Sequence, residues 1–281
     1  MVTHRPRRPS SFVPRLSRDT VILPLARLAE AAEMVAPDIL FITTPDDRIE
    51  ESAQLLASVW TKSATKRATK SATKRATRVA LHLSGALSSA SLVPLRARGY
   101  SVGSMHPLVS LAGAGAEGLR RAHYCLEGET KAVRIAKRIV KALDGESFTI
   151  QSRHKALYHA AAVMSAGHLV ALMDAAAEML AACGFKKARA QSLLNSLAAS
   201  ALRNLASQSP EQALTGPFTR GDQRIIDLHL QAIADLGDGS SSNTQDIYLA
   251  LARRQLRLAA KRGLDRAVVR LMADALNKWE R

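Results

Sequence analysis

Residues 38–47 read DILFITTPDD, an apolar run that is closed at once by two threonines, a proline and two acids. A short apolar run bounded by turn formers is the pattern of a buried strand feeding a loop. Upstream, residues 24–36, PLARLAEAAEMVA, carry apolar residues at helical spacing; downstream, residues 48–60, RIEESAQLLASVW, read as an amphipathic helix. The same unit recurs further on. RVALHLSG (78–85) is a second strand ending in Ser84 and Gly85, SSASLVPLRARG (88–99) a short helix stopped by Gly99, and YSVGSMHPL (100–108) a third strand. AHYCLEGE (122–129) gives a fourth strand, KAVRIAKRIVKALDG (131–145) a helix with Gly145 as its stop, and ESFTIQS (146–152) a fifth strand. Strands alternating with helices predict a mostly parallel, doubly wound sheet.

From Arg153 onward Gly and Pro thin out and Ala and Leu take over. Residues 154–184, HKALYHAAAVMSAGHLVALMDAAAEMLAACG, read as one long helix that is apolar around most of its circumference, as a helix in the centre of a bundle is. Further helices follow in 187–207, 222–237, 243–263 and 264–280. The expected organisation is a disordered basic leader over 1–20, an α/β domain over 21–151 with a basic repeat inserted at 61–78, and an all-α domain over 152–281.

The 281 residues carry a formal charge of +16, but the excess is local. In residues 61–78, TKSATKRATKSATKRATR, the octapeptide KSATKRAT occurs twice in succession; residues 62–78 hold seven Lys or Arg and no acid. Residues 1–20 hold five Arg against Asp19, so these two segments take +7 and +4 and leave +5 for the rest. The repeat falls between a helix and a strand, a connection usually made in about 2–6 residues, and reads as an insertion in a loop. Its cations could contact phosphates in a salt-dependent, sequence-blind way, but no aromatic residue interleaves them for base stacking. Cys125 and Cys183 lie far apart without CxxC spacing, which argues against a disulfide framework and for a reducing cytoplasm. No membrane span is expected, since even residues 169–185 are interrupted by Asp174 and Glu178. The histidines lack metal-binding spacing, so no metal site is expected.

A literal G-x-G-x-x-G occurs at Gly113, Gly115 and Gly118, but it follows a poor strand and leaves no room for a helix before the next one. It reads as a Gly and Ala connection. The strand ends are better candidates, because an open parallel sheet binds ligands at the carboxyl ends of its strands. Three of these ends carry polar or small residues: Thr43, Thr44, Pro45 and Asp46; His82, Ser84 and Gly85; Ser104, His106 and Pro107. Lys155 and His159 are four apart on one helix face, with Tyr158 beside them, a pairing able to donate a proton to a carbonyl and orient it. In LTGPFTRGD (214–222), Asp222 or Thr219 can cap the next helix, and Arg220 can hold an anionic group by a bidentate contact.

Five segments, TTPDDRI, HLSGALSS, PLRARGYSVGSMHPL, KALYHAAAVMSAGHLVALMDAA and LTGPFTRGD, in this order, closely resemble the bacterial family called domain of unknown function 2520. The resemblance runs from about residue 22 to about residue 260. The family looks like a distant relative of pyrroline-5-carboxylate reductases, 6-phosphogluconate dehydrogenases and prephenate dehydrogenases. It implies a Rossmann-like domain followed by a helical one, NAD(P)-linked oxidoreductase chemistry on a small carbonyl or imine, and a homodimer formed through the helical domain. It further implies a cofactor-binding role for Thr43, Thr44, Pro45, Asp46, Ser84 and Gly85, a catalytic role for Lys155, His159 and His106, and substrate contacts from Ser104, Thr215, Arg220 and Asp222. Two departures stand out. Gly167 and His168 replace a common Asn and Tyr, and RPRRPSSFVPRLSRD stands where the family opens with a strand, a Gly-rich turn and a helix. Without that unit dinucleotide affinity is expected to drop by orders of magnitude, the alternative being a non-catalytic helical scaffold whose basic loop binds nucleic acid weakly.

Overall fold

The strand at Val79–His82 (β4) lies inside the molecule's sheet with a neighbour on each side, and all four of its residues, Val-Ala-Leu-His, are buried. A strand buried on both faces requires a cover on each, and the elements around it supply them. The computed structural model describes residues 2–3, 23–24, 37–60, 78–111, 115–236 and 241–279. The leader apart from Val2 and Thr3, the helix expected at 24–36 apart from Pro24, the repeat up to Thr77, and Gly113 of the glycine motif lie outside them.

Five strands form one sheet in the order β3 (Ile39–Ile42), β4, β5 (Ser101–Leu108), β6 (His123–Gly128) and β7 (Glu146–Thr149). Neighbours are parallel except β5 and β6, which run antiparallel. Two short segments, β1 (Val2–Thr3) and β2 (Leu23–Pro24), form a separate parallel pair. Register aligns Ile42, His82, Ser104 and Glu127 in one row across four strands. Where β5 meets β6, Gly103 faces Gly128, whose φ of +126° and close approach to the Gly103 backbone exclude a side chain.

The alternation of the strands sorts side chains to two faces. Ile42, Ala80 and Val102 pack with Leu92 and Leu95 and with Ile49, Ala53, Leu56 and Ala57 of helix α1 (Ile49–Val59). Val79, Leu81, Met105, Tyr124 and Leu126 pack on the other face against helix α2 (Thr130–Ala142). This helix meets the sheet through Ala132, Ala136 and Val140, spaced four apart on one face, so its cations stay outside. The segment expected as a helix over 88–99 is a 3-10 helix, Ser89–Arg98, because Pro94 inside it has no N–H to give an α-helical ladder. Gly99 ends it in the left-handed region, as its sequence position implied.

The chain divides into two compact units, Met1–Ala166 and Gly167–Arg281. The division lies beyond residue 151 because helix α3 (Lys155–Ser165) hydrogen-bonds to the strand ends and so belongs with the sheet. The long helix expected over 154–184 is two helices, α3 and α4 (Gly167–Ala182), broken at Ala166, where ψ is −72°. Its role at the centre of a bundle is also corrected: in α4 only Ala175 and Ala177 are buried.

In the second unit α4 is followed, after Gly184, by α5 (Lys187–Ser207) and two short helices, α6 (Pro210–Ala213) and α7 (Pro217–Arg220). Helices α8 (Gln223–Ala234), α9 (Ser241–Lys261) and α10 (Arg266–Lys278) then enclose a core of Phe218, Ile226, Leu230, Leu249, Leu256, Met272 and Leu276. By length and composition, the helical stretch Ser152–Ala182, with a mean hydropathy of 1.5, is apolar enough to cross a membrane, contrary to the expectation from its two acids. The break at Ala166 and the buried, hydrogen-bonded Lys155 place part of that stretch against the sheet instead.

Candidate active site at the strand ends

The loop that follows β4 is built by two side chains. His82 is fully buried; its Nδ1 accepts from Ser84 N at 3.2 Å, which leaves the ring proton on Nε2, facing Ser88 O at 3.1 Å. Burial, its largest influence, holds the His82 pKa below the ordinary value, so the imidazole is a neutral clamp for residues 83–88. Ser84 Oγ donates to Asp46 Oδ2 at 2.7 Å and accepts from Ala86 N and Leu87 N. The ends of β3 and β4 are thereby tied together, which gives Asp46 a structural duty beside the one expected of it.

Lys155, at the first position of α3, is 1% exposed. Its Nζ donates to Ser84 O and to Ser104 Oγ, each at 2.8 Å, and Ser104 Oγ in turn donates to Ser84 O at 3.1 Å. Removal from water disfavours the ammonium and lowers the Lys155 pKa, an effect opposed by Cys125, Glu127 and Asp46. What puts Lys155 there is Glu127, 2% exposed near the end of β6. Its carboxylate accepts from Ser89 N (2.7 Å), Ser89 Oγ (2.9 Å) and Ser152 Oγ (2.6 Å). One side chain thus pins the start of the 3-10 segment and the turn Ser152–His154 that opens α3. The sequence reading missed Glu127, Ser89 and Ser152; the available signal was an acid inside an otherwise apolar strand, which a folded chain retains only with partners.

β5 continues past the end of β4 and carries His106 beyond it. The Nδ1 of His106 lies 2.8 Å from the Tyr158 hydroxyl, and His159 meets the His106 ring edge to face at 5.8 Å. Burial first, then Lys155 and His159, push the His106 pKa down to about 4, with Asp46 opposing them. Gly85 lies against both imidazoles: a Cβ at this position would strike the His159 ring and stand 2.8 Å from His106 Nε2. Lys155, Ser84, Gly85, Ser104, His106 and His159 therefore converge within the first unit. Thr43 and Pro45 are exposed at the end of β3, and the buried Thr44 Oγ1 has no hydrogen-bond partner. Thr215, Arg220 and Asp222 belong to the second unit, where Thr215 and Arg220 are exposed. Asp222 caps α8 by accepting from Ile225 N at 3.3 Å, the role its position before a helix predicted. Among the described residues no group of three or more His, Cys, Asp or Glu is placed to hold a metal ion.

Lys155 is thus a buried lysine on the helix after the sheet, with its amine at the strand ends. Residues 122–255 match the family model described as domain of unknown function (DUF2520). The match spans β6, β7, α3 and the helices up to α9, the later part of the region over which the sequence resemblance extends. No curated protein sequence matches the chain. Among solved structures, protein TM1727 of Thermotoga maritima superposes with a TM-score of 0.60 at 23% identity, covering 83% of this chain and 86% of that one. A Bacteroides fragilis protein, BF3122, described as a candidate NADP oxidoreductase, gives 0.59 at 18% identity, with 80% and 78% covered. The pyrroline carboxylate reductase of Plasmodium falciparum, solved with NADP bound, gives 0.50 at 9% identity, with 88% and 86% covered. The chain thus shares with these proteins its fold, a mostly parallel Rossmann-like sheet followed by helices.

Proposed function

We propose that the chain is an NAD(P)-dependent oxidoreductase acting in the cytoplasm on a small carbonyl or imine substrate, with its reacting centre where Lys155, His106 and Gly85 meet. The observation that carries this reading is Lys155. An amine kept at 1% exposure is costly unless its environment is used, and here two acceptors orient it and leave one Nζ hydrogen uncommitted. A lysine whose pKa is lowered by burial gives up its proton more readily than a solvated one, as a general acid must. Ser84 O and Ser104 Oγ hold Nζ in place, and Glu127 positions the helix turn that delivers it.

The residues at the end of β3 fit the nicotinamide end of a dinucleotide. Thr43, Thr44, Pro45 and Asp46 would line its ribose, and the orphaned Thr44 Oγ1 is a buried hydroxyl awaiting such a polar partner. A bound nicotinamide supplies the hydride. NADPH is the cofactor to test first, since NADP is named for two of the similar structures. Titrating NADPH with the 281-residue chain should give a saturable fluorescence change, at the weakened affinity expected where RPRRPSSFVPRLSRD replaces a Gly-rich turn. Lys155→Met should keep that response while losing about 100-fold or more in turnover, the usual share of a general acid. A non-saturable response in the unaltered chain overturns the reading.

The same reading makes the second unit a dimer module. Helix α5 leaves Leu193, Leu197, Leu202 and Leu205 exposed, and α4 leaves Val170 exposed at 71%. The ion pair of Asp174 with Lys187 between these helices, at 3.8 Å and largely exposed, suits a protein partner rather than lipid. A second copy of the chain is the occupant proposed for this face.

A further inference from the structure

Tyr158 stands between two polar groups that the proton-donor role of Lys155 does not use. On one side is His106 Nδ1 at 2.8 Å; on the other is the thiol of Cys125, within hydrogen-bond reach and fully buried. The hydroxyl has one proton to give. A phenol is a good donor, the imidazole nitrogen a strong acceptor and thiol sulfur a weak one, so the proton belongs on the Tyr158–His106 contact. The thiol can then donate to the Tyr158 oxygen, and every group in the row is satisfied. With its Nδ1 lone pair occupied, neutral His106 must carry its own proton on Nε2. Gly85 puts no side chain over that nitrogen, where a Cβ would stand 2.8 Å from it.

We propose that Cys125, Tyr158 and His106 form a one-way hydrogen-bond row that fixes His106 as a neutral Nε2–H donor beside Gly85, and that the group received there is a ketone or aldehyde oxygen rather than a protonated imine. Tyr158 and Cys125 are positioning residues, and His106 touches the substrate. The inference rests on the oxidoreductase reading and narrows its substrate class. The groups facing His106 agree with the direction of the row: Lys155 and His159 of α3 oppose a positive charge on the ring, and only Asp46 favours one. Burial of Tyr158 and Cys125 raises both of their pKa values, so each keeps its proton.

A carbonyl oxygen offers lone pairs to Nε2–H and gains negative charge as its carbon is reduced, which a fixed donor and the nearby Lys155 amine stabilise. A protonated imine has no lone pair and carries a positive charge that Lys155 repels. In the reduction, the carbonyl carbon takes a hydride from the reduced nicotinamide and the C=O π pair moves to oxygen. That oxygen would take its proton from the Lys155 ammonium, leaving an alcohol, a neutral lysine amine and an oxidised nicotinamide.

The test is nitrogen NMR of the 15N-histidine-labelled full chain at pH 7. His106 is expected to be neutral with its proton on Nε2, and Tyr158→Phe should convert it to a mixture of the two tautomers. Cyclohexanone should shift the His106 Nε2 resonance, and less so in Tyr158→Phe, whereas an N-methylated cyclic iminium ion should leave it in place. A ring protonated on Nδ1, a tautomer indifferent to Tyr158→Phe, or an iminium response equal to that of the ketone overturns the proposal. These readouts need no cofactor, so a chain that fails to bind NADPH leaves them intact and defeats only the wider reading.

Discussion

Glu127 is one acid in an apolar strand, yet three donors from two other segments end on it. Replacing it with alanine leaves Ser89 N and two hydroxyls facing a dry interior, at a cost of about 1–3 kcal/mol for the orphaned groups. Glu127→Ala should therefore lower the urea midpoint with the m-value unchanged, and a midpoint within error of the parent would show that the three contacts contribute nothing. The histidines predict an acid response. An unfolded histidine gains its proton near pH 6.5, whereas folded His106 does so near 4, and His82 is shifted the same way. Between those values the unfolded chain binds more protons, so this part of the stability is complete above about pH 6.5 and is lost as pH falls toward 4. Thermal melts from pH 7.5 to 4.5 should show a falling Tm, with a shallower fall in His106→Asn; equal slopes would refute the assignment. Several of these residues were legible from chain position alone. Lys155 and His159 stood out by their spacing of four, and Ser84, Gly85 and His106 by following apolar runs. Their division of labour was not legible: Lys155 turns to Ser84 O and Ser104, while His159 lies against Gly85, because the choice is made by strands distant in sequence.

At the scale of elements, the five strands could be read from apolar runs because the stops between them, such as Ser84–Gly85 and Gly145, are unambiguous. The alternation with helices foretold a mostly parallel sheet, but the reversal of β6 was not read, since side-chain alternation is the same in either direction; the register shows it. The break at Ala166 had one cue, Gly167, in a stretch whose composition otherwise favours uninterrupted helix. The apolar circumference of α4 was also seen correctly and interpreted wrongly. Hydrophobicity shows that a surface is to be covered, but not whether the cover is the chain's own core.

For the whole molecule, that uncovered surface carries the expectation of a dimer. Light scattering should give twice the chain mass at micromolar concentration, and Leu197→Glu, which places a charge on a side chain 69% exposed in α5, should halve it while helicity is retained. A parent chain that is monomeric under those conditions rules out a second copy as the occupant. The sheet itself constrains how its connections run. Links from β3 to β4, β4 to β5 and β6 to β7 join parallel neighbours, and each must cross over one face with the right-handed sense that strand twist imposes. The reversal at β6 releases residues 109–122 from that rule, since antiparallel neighbours need only a return. Among its described residues this connection holds a 3-10 helix, Gly115–Leu119, where the sequence left no room for one, but no α-helix, and it is where the chain carries Gly113, Gly115 and Gly118. Glycines spaced like a nucleotide fingerprint are thus harmless in a link whose topology has no use for the helix that a fingerprint needs.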